Sequence, residues 1–478
     1  MISLIASIIA LIIGYFVLSK ISQNIFGIDP NRKTPAVSMA DGVDFVPLPV
    51  WKIFLIQFLN IAGLGPIFGA VAGAMWGPVA FLWIVLGTLF AGGVHDYFSG
   101  MLSVKHNGES ITEISGYYLG NNVKQFMRIF SVVLLIMVGT VFIMGPAKIL
   151  VGISGGFGGI TFWVAIIFVY YILSTVLPID KLIGKIYPLF GIALLFMVVG
   201  IFVMMFKADI HVPEVTLANL KNFHSNPDTF PIFPFVFVTI ACGAISGFHA
   251  TQSPLMARCM TNEKQGRSIF FGTMVTEGIV ALVWAAIGMS FFGGIKELNE
   301  VMEGQGGNAA FVVNEISYSL LGKIGGILAL LGVVAAPITS GDTAFRSARL
   351  IIADIFKSKQ GPILNRFLIS LPLFVIAYLL TQLDFAIVWR YFAWANQTLA
   401  TVVLWTITMF LVKSGKNYWI SLVPAVFMTA VVTSYLFIAP EGLNLTATIS
   451  YIAALIVSSA SVLWIIFKIR KEKREIKL

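Results

Sequence analysis

The stretch Ile61-Ala-Gly-Leu-Gly-Pro-Ile-Phe-Gly69 places three glycines and a proline in the middle of an apolar segment long enough to cross a membrane. Pro66 has no amide proton and frees the carbonyl of Ala62, and the glycines lower the cost of leaving the helical conformation. Irregular backbone at membrane depth is tolerated only where it lines a cavity or is buried in protein. The stretch predicts a broken membrane helix, although the glycine spacing from Gly65 to Gly73 also fits close helix packing.

A second stretch in the other half of the chain, Ile240-Ala-Cys-Gly-Ala-Ile-Ser-Gly-Phe-His249, has the same character. Here Gly243, Ser246 and Gly247 flank the predicted break. Freed amides at the start of a half-helix attract an anion such as a substrate carboxylate, and freed carbonyls suit a cation. His249 either binds substrate or a transported proton, or is bonded to the backbone at a helix end. Paired broken helices predict a transporter.

The composition identifies an integral membrane protein, because 58% of the 478 residues are hydrophobic and only 11% are charged. Apolar runs of the length needed to cross a bilayer recur along the whole chain. We predict an all-α integral membrane fold with about 13 transmembrane helices. The predicted spans are 2–19, 51–75, 77–103, 126–147, 159–177, 186–206, 231–250, 268–292, 323–340, 366–382, 384–412, 417–438 and 447–468.

The net charge of +9 does not indicate nucleic-acid binding, because the basic residues lie in alternate loops between the predicted spans. Placing the basic C-terminal tail in the cytoplasm puts most of the 31 lysines and arginines on that side. The basic residues that fall elsewhere are Lys148, Lys207, Lys221, Lys296 and Lys323, with Arg390 inside a span. The positive-inside rule then predicts a multi-pass protein of the plasma membrane with its N-terminus outside.

The two broken spans each begin a series of five spans, and an odd number makes the second series start from the opposite side of the membrane. We therefore predict a first five-helix repeat over 51–206 and an inverted second repeat over 207–412, each with a discontinuous first helix. Residues 1–50 form a peripheral helix and a cytoplasmic linker, and 413–478 form two peripheral helices and the basic tail.

Hydroxyl groups near the end of the third span of the second repeat predict a cation site. Thr339, Ser340 and Asp342 could hold Na⁺ together with a freed carbonyl near Ala62, because hard cations prefer oxygen ligands. In the alternative interpretation, Asp342 caps the amphipathic helix that follows and pairs with Arg346.

Three further features contain groups that could take part in chemistry. Glu277 lies deepest of the intramembrane charges and is a candidate proton carrier, although the sequence names no partner for it. Residues 152–156 match the G-x-S-x-G pattern around Ser154, but the strand and helix that a hydrolase needs are missing, so we predict no enzyme. Cys242 and Cys259 are interpreted as small buried residues, and no metal-binding spacing is present.

Several motifs resemble the carbon starvation protein A family. The matching segments are 29–37 (Asp-Pro-Asn-Arg-Lys-Thr-Pro-Ala-Val), 41–47 (Asp-Gly-Val-Asp-Phe-Val-Pro), 61–66, 237–249, 342–349 (Asp-Thr-Ala-Phe-Arg-Ser-Ala-Arg) and 395–397 (Ala-Asn-Gln). The resemblance implies a bacterial inner-membrane permease of the cellular response to starvation, which takes up peptides or, in some members, pyruvate. It also implies the 5+5 inverted-repeat core of the amino acid, polyamine and organocation superfamily. After His249 this chain reads Ala-Thr-Gln-Ser-Pro, where longer members carry a Ser/Gly/Thr-rich stretch.

We therefore expect a secondary transporter that imports short peptides or a small carboxylate such as pyruvate by symport with H⁺ or Na⁺ and without another cofactor. The expected substrate site comprises Gly63, Gly65, Pro66, Gly243, Ser246, Gly247 and His249. The expected coupling-ion residues are Ala62, Thr339, Ser340, Asp342 and Glu277. The expected partners are the lipid bilayer and a small-molecule or peptide substrate. The alternative is a nutrient sensor that binds its ligand without transporting it.

Overall fold

The computed structural model describes residues 1–42, 44–176, 179–358, 360 and 362–475, and within these residues it contains helices and loops only. The helices are α1 (Ile2–Phe26), α2 (Pro35–Ser38), α3 (Val50–Ile61), α4 (Ala70–Gly73), α5 (Val79–Leu86), α6 (Gly93–Lys105), α7 (Ile111–Leu119), α8 (Asn121–Ile153), α9 (Gly159–Val176), α10 (Ile179–Lys207), α11 (Ile232–Thr239), α12 (Gly247–Ala257), α13 (Thr273–Gly288), α14 (Ile295–Gly304), α15 (Ala309–Phe356), α16 (Ile363–Leu380), α17 (Phe385–Lys413), α18 (Trp419–Ile438) and α19 (Ala447–Glu475). Turns of π-helix at Gly65–Gly69, Gly87–Gly92 and Arg267–Gly272 connect several of them.

Ten helices of the described chain are long and apolar enough to span a membrane, and the bent pair Val50–Ile61 and Gly65–Trp76 would be an eleventh. This agrees with a multi-pass membrane protein but does not reach the predicted number of 13. The predicted span 159–177 corresponds to the shorter apolar helix α9, and its last residue lies outside the described residues. The predicted span 231–250 is divided into α11 and α12 by residues 240–246, which are not helical.

Helices from the two halves of the chain pack against each other in corresponding pairs. The long helices α8 and α15 form one extensive contact, and α9 packs against α16. Within the halves, α3 packs against α10 as α11 packs against α17. The broken segments α3–α4 and α11–α12 lie in the middle of this assembly, where most side chains are buried.

The first and last helices lie at the surface of the bundle. Only 22% of the apolar window of α1 and 17% of that of α19 are buried, whereas the values for α13 and α17 are 83%. Ile12, Phe16, Leu455 and Phe467 are among the exposed large apolar side chains. Such surfaces are compatible with contact to lipid acyl chains.

Candidate functional site

The first break begins where α3 ends at Ile61. Ala62 leaves the helical region with φ −82° and ψ 46°, and the chain resumes as a π-helical turn from Gly65. The span is bent by 54° between its two helical parts. Pro66 occupies the start of the new turn, where a missing amide proton costs nothing because no intrahelical partner exists there.

The second break covers residues 240–246, between the end of α11 and the start of α12. Its freed carbonyls are bonded by side chains of the neighbouring span. The indole nitrogen of Trp83 donates to the carbonyl of Ile240 at 3.0 Å, and the hydroxyl of Thr88 donates to that of Gly243 at 3.1 Å. These bonds fix the irregular backbone because buried carbonyls need partners.

The two breaks lie directly against each other. A methyl group at Gly65 would overlap the side chain of Cys242, and one at Gly69 would lie 2.8 Å from the carbonyl oxygen of Thr239. Gly243 in turn lies close to the backbone of Pro66. The glycines therefore permit backbone to approach backbone at the centre of the protein, where the sequence predicts a shared site.

The N-terminus of α12 is capped by a residue of α17. The backbone amide of Phe248 donates to Oδ1 of Asn396 at 2.7 Å, and Nδ2 of Asn396 donates to the hydroxyl of Ser246 at 2.9 Å. A methyl group at Gly247 would lie 2.5 Å from the backbone of Ala400, so α12 and α17 are in close contact. One amide that the sequence assigned to a substrate carboxylate is thus occupied by Asn396.

A cluster of ionisable side chains is buried beside the second break. Nδ1 of His249 lies 2.8 Å from Oδ2 of Asp96, and Nδ1 of His95 lies 2.7 Å from the other oxygen of that carboxylate. On the opposite side, Nε2 of His249 lies 3.4 Å from Glu277. All four side chains are fully buried. The structure thus supplies a partner for Glu277 and places His249 between two carboxylates.

The thiol of Cys242 completes this cluster. One donor atom each from Cys242, His249 and Glu277 lies within 4.8 Å of the others. The two carboxylate oxygens of Glu277 have no hydrogen-bond partner. Nε2 of His249 has none either. A carboxylate buried in this way requires a neighbouring positive charge or a proton. Without one, the loss of hydration costs roughly several kcal/mol of folding free energy.

The residues of the predicted cation site around Ser340 bond different partners in the structure. Ser340 donates to the carbonyl of Leu59 at 2.9 Å and so reaches the last turn of α3, near Ala62. Thr339 donates to the carbonyl of its own helix. Asp342 lies within the helical part of α15 that continues to Phe356, so it does not cap a separate helix, and it accepts a hydrogen bond from Ser174 at 2.5 Å.

Two amide side chains of α3 are buried just before the first break. Gln57 and Asn60 are both fully buried, and none of their side-chain nitrogen and oxygen atoms has a hydrogen-bond partner. Most buried polar groups in proteins are bonded, and an unpaired one costs about 1–3 kcal/mol. These amides are therefore candidates for contact with a bound molecule.

A cavity of about 500 Å³ opens on the side of the bundle predicted to be extracellular. Its wall includes Phe68 and Trp76 of the first broken span, together with His224, Trp389 and Arg390. The ring of His224 lies between those of Trp76 and Phe230, with centroids 4.6 and 4.8 Å away. Burial lowers the pKa of His224, and the nearby carboxylate of Glu303 opposes this shift.

A layer of aromatic rings continues from the wall of this cavity towards α12. Phe68 contacts Trp389 with a centroid distance of 6.0 Å, and Trp389 contacts Phe392 at 5.6 Å. Phe392 lies 6.3 Å from Phe142, which lies 5.9 Å from Phe248. Phe142 also packs on the bare backbone of Gly63. The rings separate the cavity from the cluster around His249, none of whose members lines the cavity.

Asp96 and Asn396 are the functional candidates that sequence reasoning did not select. His95 and Asp96 lie towards the end of the predicted span 77–103, and Asn396 lies within the motif Ala395–Gln397. Asp96 lies far from His249 in sequence, and a carboxylate near a predicted helix end usually faces water. Only its complete burial beside His249 makes it a candidate.

Multiple membrane-spanning helices with two broken segments in contact define the class of membrane transporters. The sequence profile of the carbon starvation protein CstA family matches residues 1–162, 157–384 and 320–435. The chain therefore belongs to the carbon starvation protein CstA family.

Sequence relatives agree with this assignment. A peptide transporter CstA of Campylobacter jejuni is 26% identical over 98% of this chain and 85% of its own length. The pyruvate/proton symporter BtsT of Escherichia coli is 28% identical over 58% of this chain and 47% of its own length. An uncharacterized membrane protein of Haemophilus influenzae is 46% identical over 61% of this chain and 91% of its own length.

The fold resembles those of solved transporters. The structure of MhsT in complex with L-phenylalanine has a TM-score of 0.57 and 17% identity, and covers 86% of this chain and 98% of its own. The Eremococcus coleocola manganese transporter has a TM-score of 0.52 and 13% identity, with 91% and 99% covered. The homologues described above as transporters agree with the prediction that the chain is not an enzyme.

Proposed function

We propose that this chain is a secondary transporter that imports a small carboxylate or a short peptide together with a cation. The observation that carries the proposal is the meeting of two broken helices beside the buried cluster of His249, Asp96 and Glu277. A substrate bound at the breaks would share its environment with the coupling cation. Coupling requires such proximity, or a chain of contacts, between the two sites.

The proposed architecture is a 5+5 inverted repeat with 13 spans. Its support is the pairing of corresponding helices, since α8 packs against α15, and α9 against α16. The contact of α3 with α10 repeats in that of α11 with α17, as expected if a pseudo-twofold axis relates the halves. We place the N-terminus outside the plasma membrane and the C-terminus in the cytoplasm on the charge distribution of the loops.

The proposed substrate site combines backbone of the breaks with amides of α3. Gly63, Gly65 and Pro66 supply one wall, and Gly243 with Ser246 supplies the other. Asn60 and Gln57 offer the unpartnered donors and acceptors that a carboxylate or a peptide group would bind. The names of the relatives, peptide transporter and pyruvate/proton symporter, support this class of substrate.

The proposed site of the coupling cation lies between His249 and Glu277. The carboxylate of Glu277 has no hydrogen bond, and a cation at this point would offset its charge. Ser340 links α3 to the third span of the second half, because its hydroxyl donates to the carbonyl of Leu59. Movement of α3 against its neighbours would then change access to the cation and to the substrate together.

Alternating access would use the cavity at the predicted extracellular side and the aromatic layer beneath it. Phe68 and Trp389 stand at the boundary between the two. Displacement of these rings would open the cavity towards the breaks, and closure of the cavity would accompany opening on the other side. The substrate would thus remain shielded from one aqueous phase at a time.

Transport assays with purified protein in proteoliposomes would test the proposal. Peptides and pyruvate should exchange across the membrane, and an imposed gradient of H⁺ or Na⁺ should drive accumulation. The substitution Glu277→Gln should abolish gradient-driven accumulation while exchange of substrate persists. The matched control is Glu300→Gln, because Glu300 is 65% exposed on α14. Accumulation by Glu277→Gln at the wild-type level, or uptake indifferent to both gradients, would contradict the coupling.

A further inference from the structure

The cluster beside the second break has the composition of a transition-metal site. Cys242 supplies a thiol, His249 an imidazole and Glu277 a carboxylate, with one donor atom of each within 4.8 Å of the others. The distance of 3.4 Å between Nε2 of His249 and Glu277 exceeds that of a good hydrogen bond. Two ligands of one tetrahedral metal ion are separated by about this distance, because each lies about 2.0–2.3 Å from the metal.

The donor atoms of His249 and Glu277 face each other without hydrogen-bond partners, whereas the sulfur of Cys242 has only long contacts, 3.6 Å each, with Ser246 and Asn396. Nε2 of His249 and both carboxylate oxygens of Glu277 are buried and make no hydrogen bond. Both residues are fully buried, and Cys242 is 1% exposed. Each unsatisfied group raises the free energy of the apo protein, and a bound cation would relieve all of them at once.

A second layer of residues holds these donors as in known metal sites. Nδ1 of His249 is bonded to Asp96, which fixes the ring with Nε2 directed at Glu277. Metal-bound histidines nearly always bond a carboxylate or carbonyl through their other ring nitrogen. Nδ2 of Asn396 lies 3.6 Å from the sulfur of Cys242 and can donate to a thiolate. Asp96 and Asn396 would therefore orient the ligands without touching the metal.

We propose that Cys242, His249 and Glu277 bind one divalent transition-metal ion of the zinc type. Thiolate and imidazole favour Zn²⁺ and Co²⁺, whereas Na⁺, Mg²⁺ and Ca²⁺ prefer oxygen ligands throughout. Three protein ligands leave a fourth position for water. The proposal departs from the sequence-based expectation of no metal site, because Cys242 and Glu277 are brought together only by the packing of α13 against the break.

Occupation of the site by zinc would inhibit transport. This consequence rests on the proposed function, since the metal would take the place assigned to the coupling cation between His249 and Glu277. It would also hold α13 to the second break through Cys242, and so resist the rearrangement that alternating access requires. Binding of the metal itself does not depend on transport.

Cobalt binding to the purified full-length protein in detergent tests the site directly. Co²⁺ bound by a thiolate gives a charge-transfer band in the near ultraviolet, and tetrahedral Co²⁺ absorbs in the visible. We expect one Co²⁺ per chain, the thiolate band, and displacement of Co²⁺ by Zn²⁺. The substitution Asp96→Asn should weaken binding about 10- to 100-fold while the band persists, as for other second-layer residues.

The second cysteine of the chain provides the matched control. Cys259 is also buried, but it lies in the turn after α12 and bonds the carbonyl of Leu255. The variant Cys259→Ser retains only the thiol of Cys242 and should keep the band. A band in this variant assigns the thiolate ligand to Cys242 even if Cys242→Ser does not fold. The variant Cys242→Ser should lose the band. Absence of the band in the wild type, cobalt bound without it, or its persistence in Cys242→Ser would overturn the proposal.

Transport assays separate the two proposals. Zn²⁺ should suppress uptake by the wild type and by Cys259→Ser, a chelator should restore it, and Cys242→Ser should be at least tenfold less sensitive. Cobalt binding without any cation-driven uptake would remove the proposed function and leave the metal site. Cation-driven uptake without cobalt binding would remove the metal site and leave the proposed function.

Discussion

The two breaks at the centre of the protein are held in different ways. In the second break, the carbonyls of Ile240 and Gly243 are bonded by Trp83 and Thr88. In the first break, the amides of Gln57 and Asn60 on the adjoining turn of α3 have no partners. The second break is therefore preorganised by side chains of other helices. The first retains unsatisfied polar groups that a ligand can bind.

This difference assigns distinct tasks to the two halves of the proposed site. Rigid surroundings of the second break hold His249 in a fixed orientation, as a cation site requires. The first break packs mainly through glycines and aromatic rings. These surfaces can move past their neighbours with the loss of fewer hydrogen bonds than in the second break. We expect the first broken span to move more during transport than the second. Four predictions test this comparison.

The largest effect is expected where the two breaks touch. The substitution Gly65→Ala adds a methyl group that overlaps Cys242. Overpacking at a buried contact costs about 1–3 kcal/mol, and here it would also separate the two breaks. We expect uptake to fall at least tenfold. Gly304→Ala is the control, because nothing lies within 4 Å of the added methyl group. Normal uptake by Gly65→Ala would refute the contact.

Removal of the cap of α12 should destabilise the protein. In Asn396→Leu, the amide of Phe248 and the hydroxyl of Ser246 lose their partner in a buried position. An unsatisfied buried amide costs about 1–3 kcal/mol. We expect a lower unfolding temperature in detergent, with uptake reduced as well. An unchanged melting curve would show that the second break does not depend on this residue.

The equivalent substitution at the first break should have the opposite effect on stability. Asn60→Leu replaces a buried amide without partners by an apolar group of similar size. Such a replacement is neutral or stabilising, so the melting temperature should be unchanged or higher. Uptake should nevertheless fall, mainly through a higher KM, because the substrate loses a polar contact. Loss of stability without change in KM would mean that Asn60 is structural.

The smallest effect concerns the mouth of the cavity. Burial lowers the pKa of His224, and the backbone amide of Asn226 donates to its Nδ1, so the neutral ring is the stable form. Its contribution to stability is therefore complete above its ordinary pKa of about 6.5 and is lost as the pH falls through its lowered value.

The melting temperature should decline on acidification, and the variant His224→Phe should remove this part of the decline. The ring of phenylalanine keeps the stacking against Trp76 and cannot be protonated. An identical pH profile of wild type and His224→Phe would exclude a contribution from this residue.

The positions of both breaks could be predicted from the sequence because their signals are local. Glycine and proline at Gly63, Gly65 and Pro66 indicated a break, and so did Gly243 and Gly247. The structure places helix ends at both positions and brings the breaks into contact. The hydroxyl groups of the predicted cation site were a weaker guide to its partners. Ser340 does reach α3, but Thr339 bonds its own helix and Asp342 bonds Ser174.

The sequence by itself determined a membrane protein of many helices with two interrupted spans, because hydrophobic length and the backbone preferences of glycine and proline are properties of single segments. Only the tertiary structure decided that Asp96, His249, Glu277 and Cys242 form one cluster. These residues come from three separate parts of the chain, and no local pattern records which buried faces will meet. Their proximity follows from the packing of α6, α12 and α13 around the breaks, which depends on every helix of the bundle.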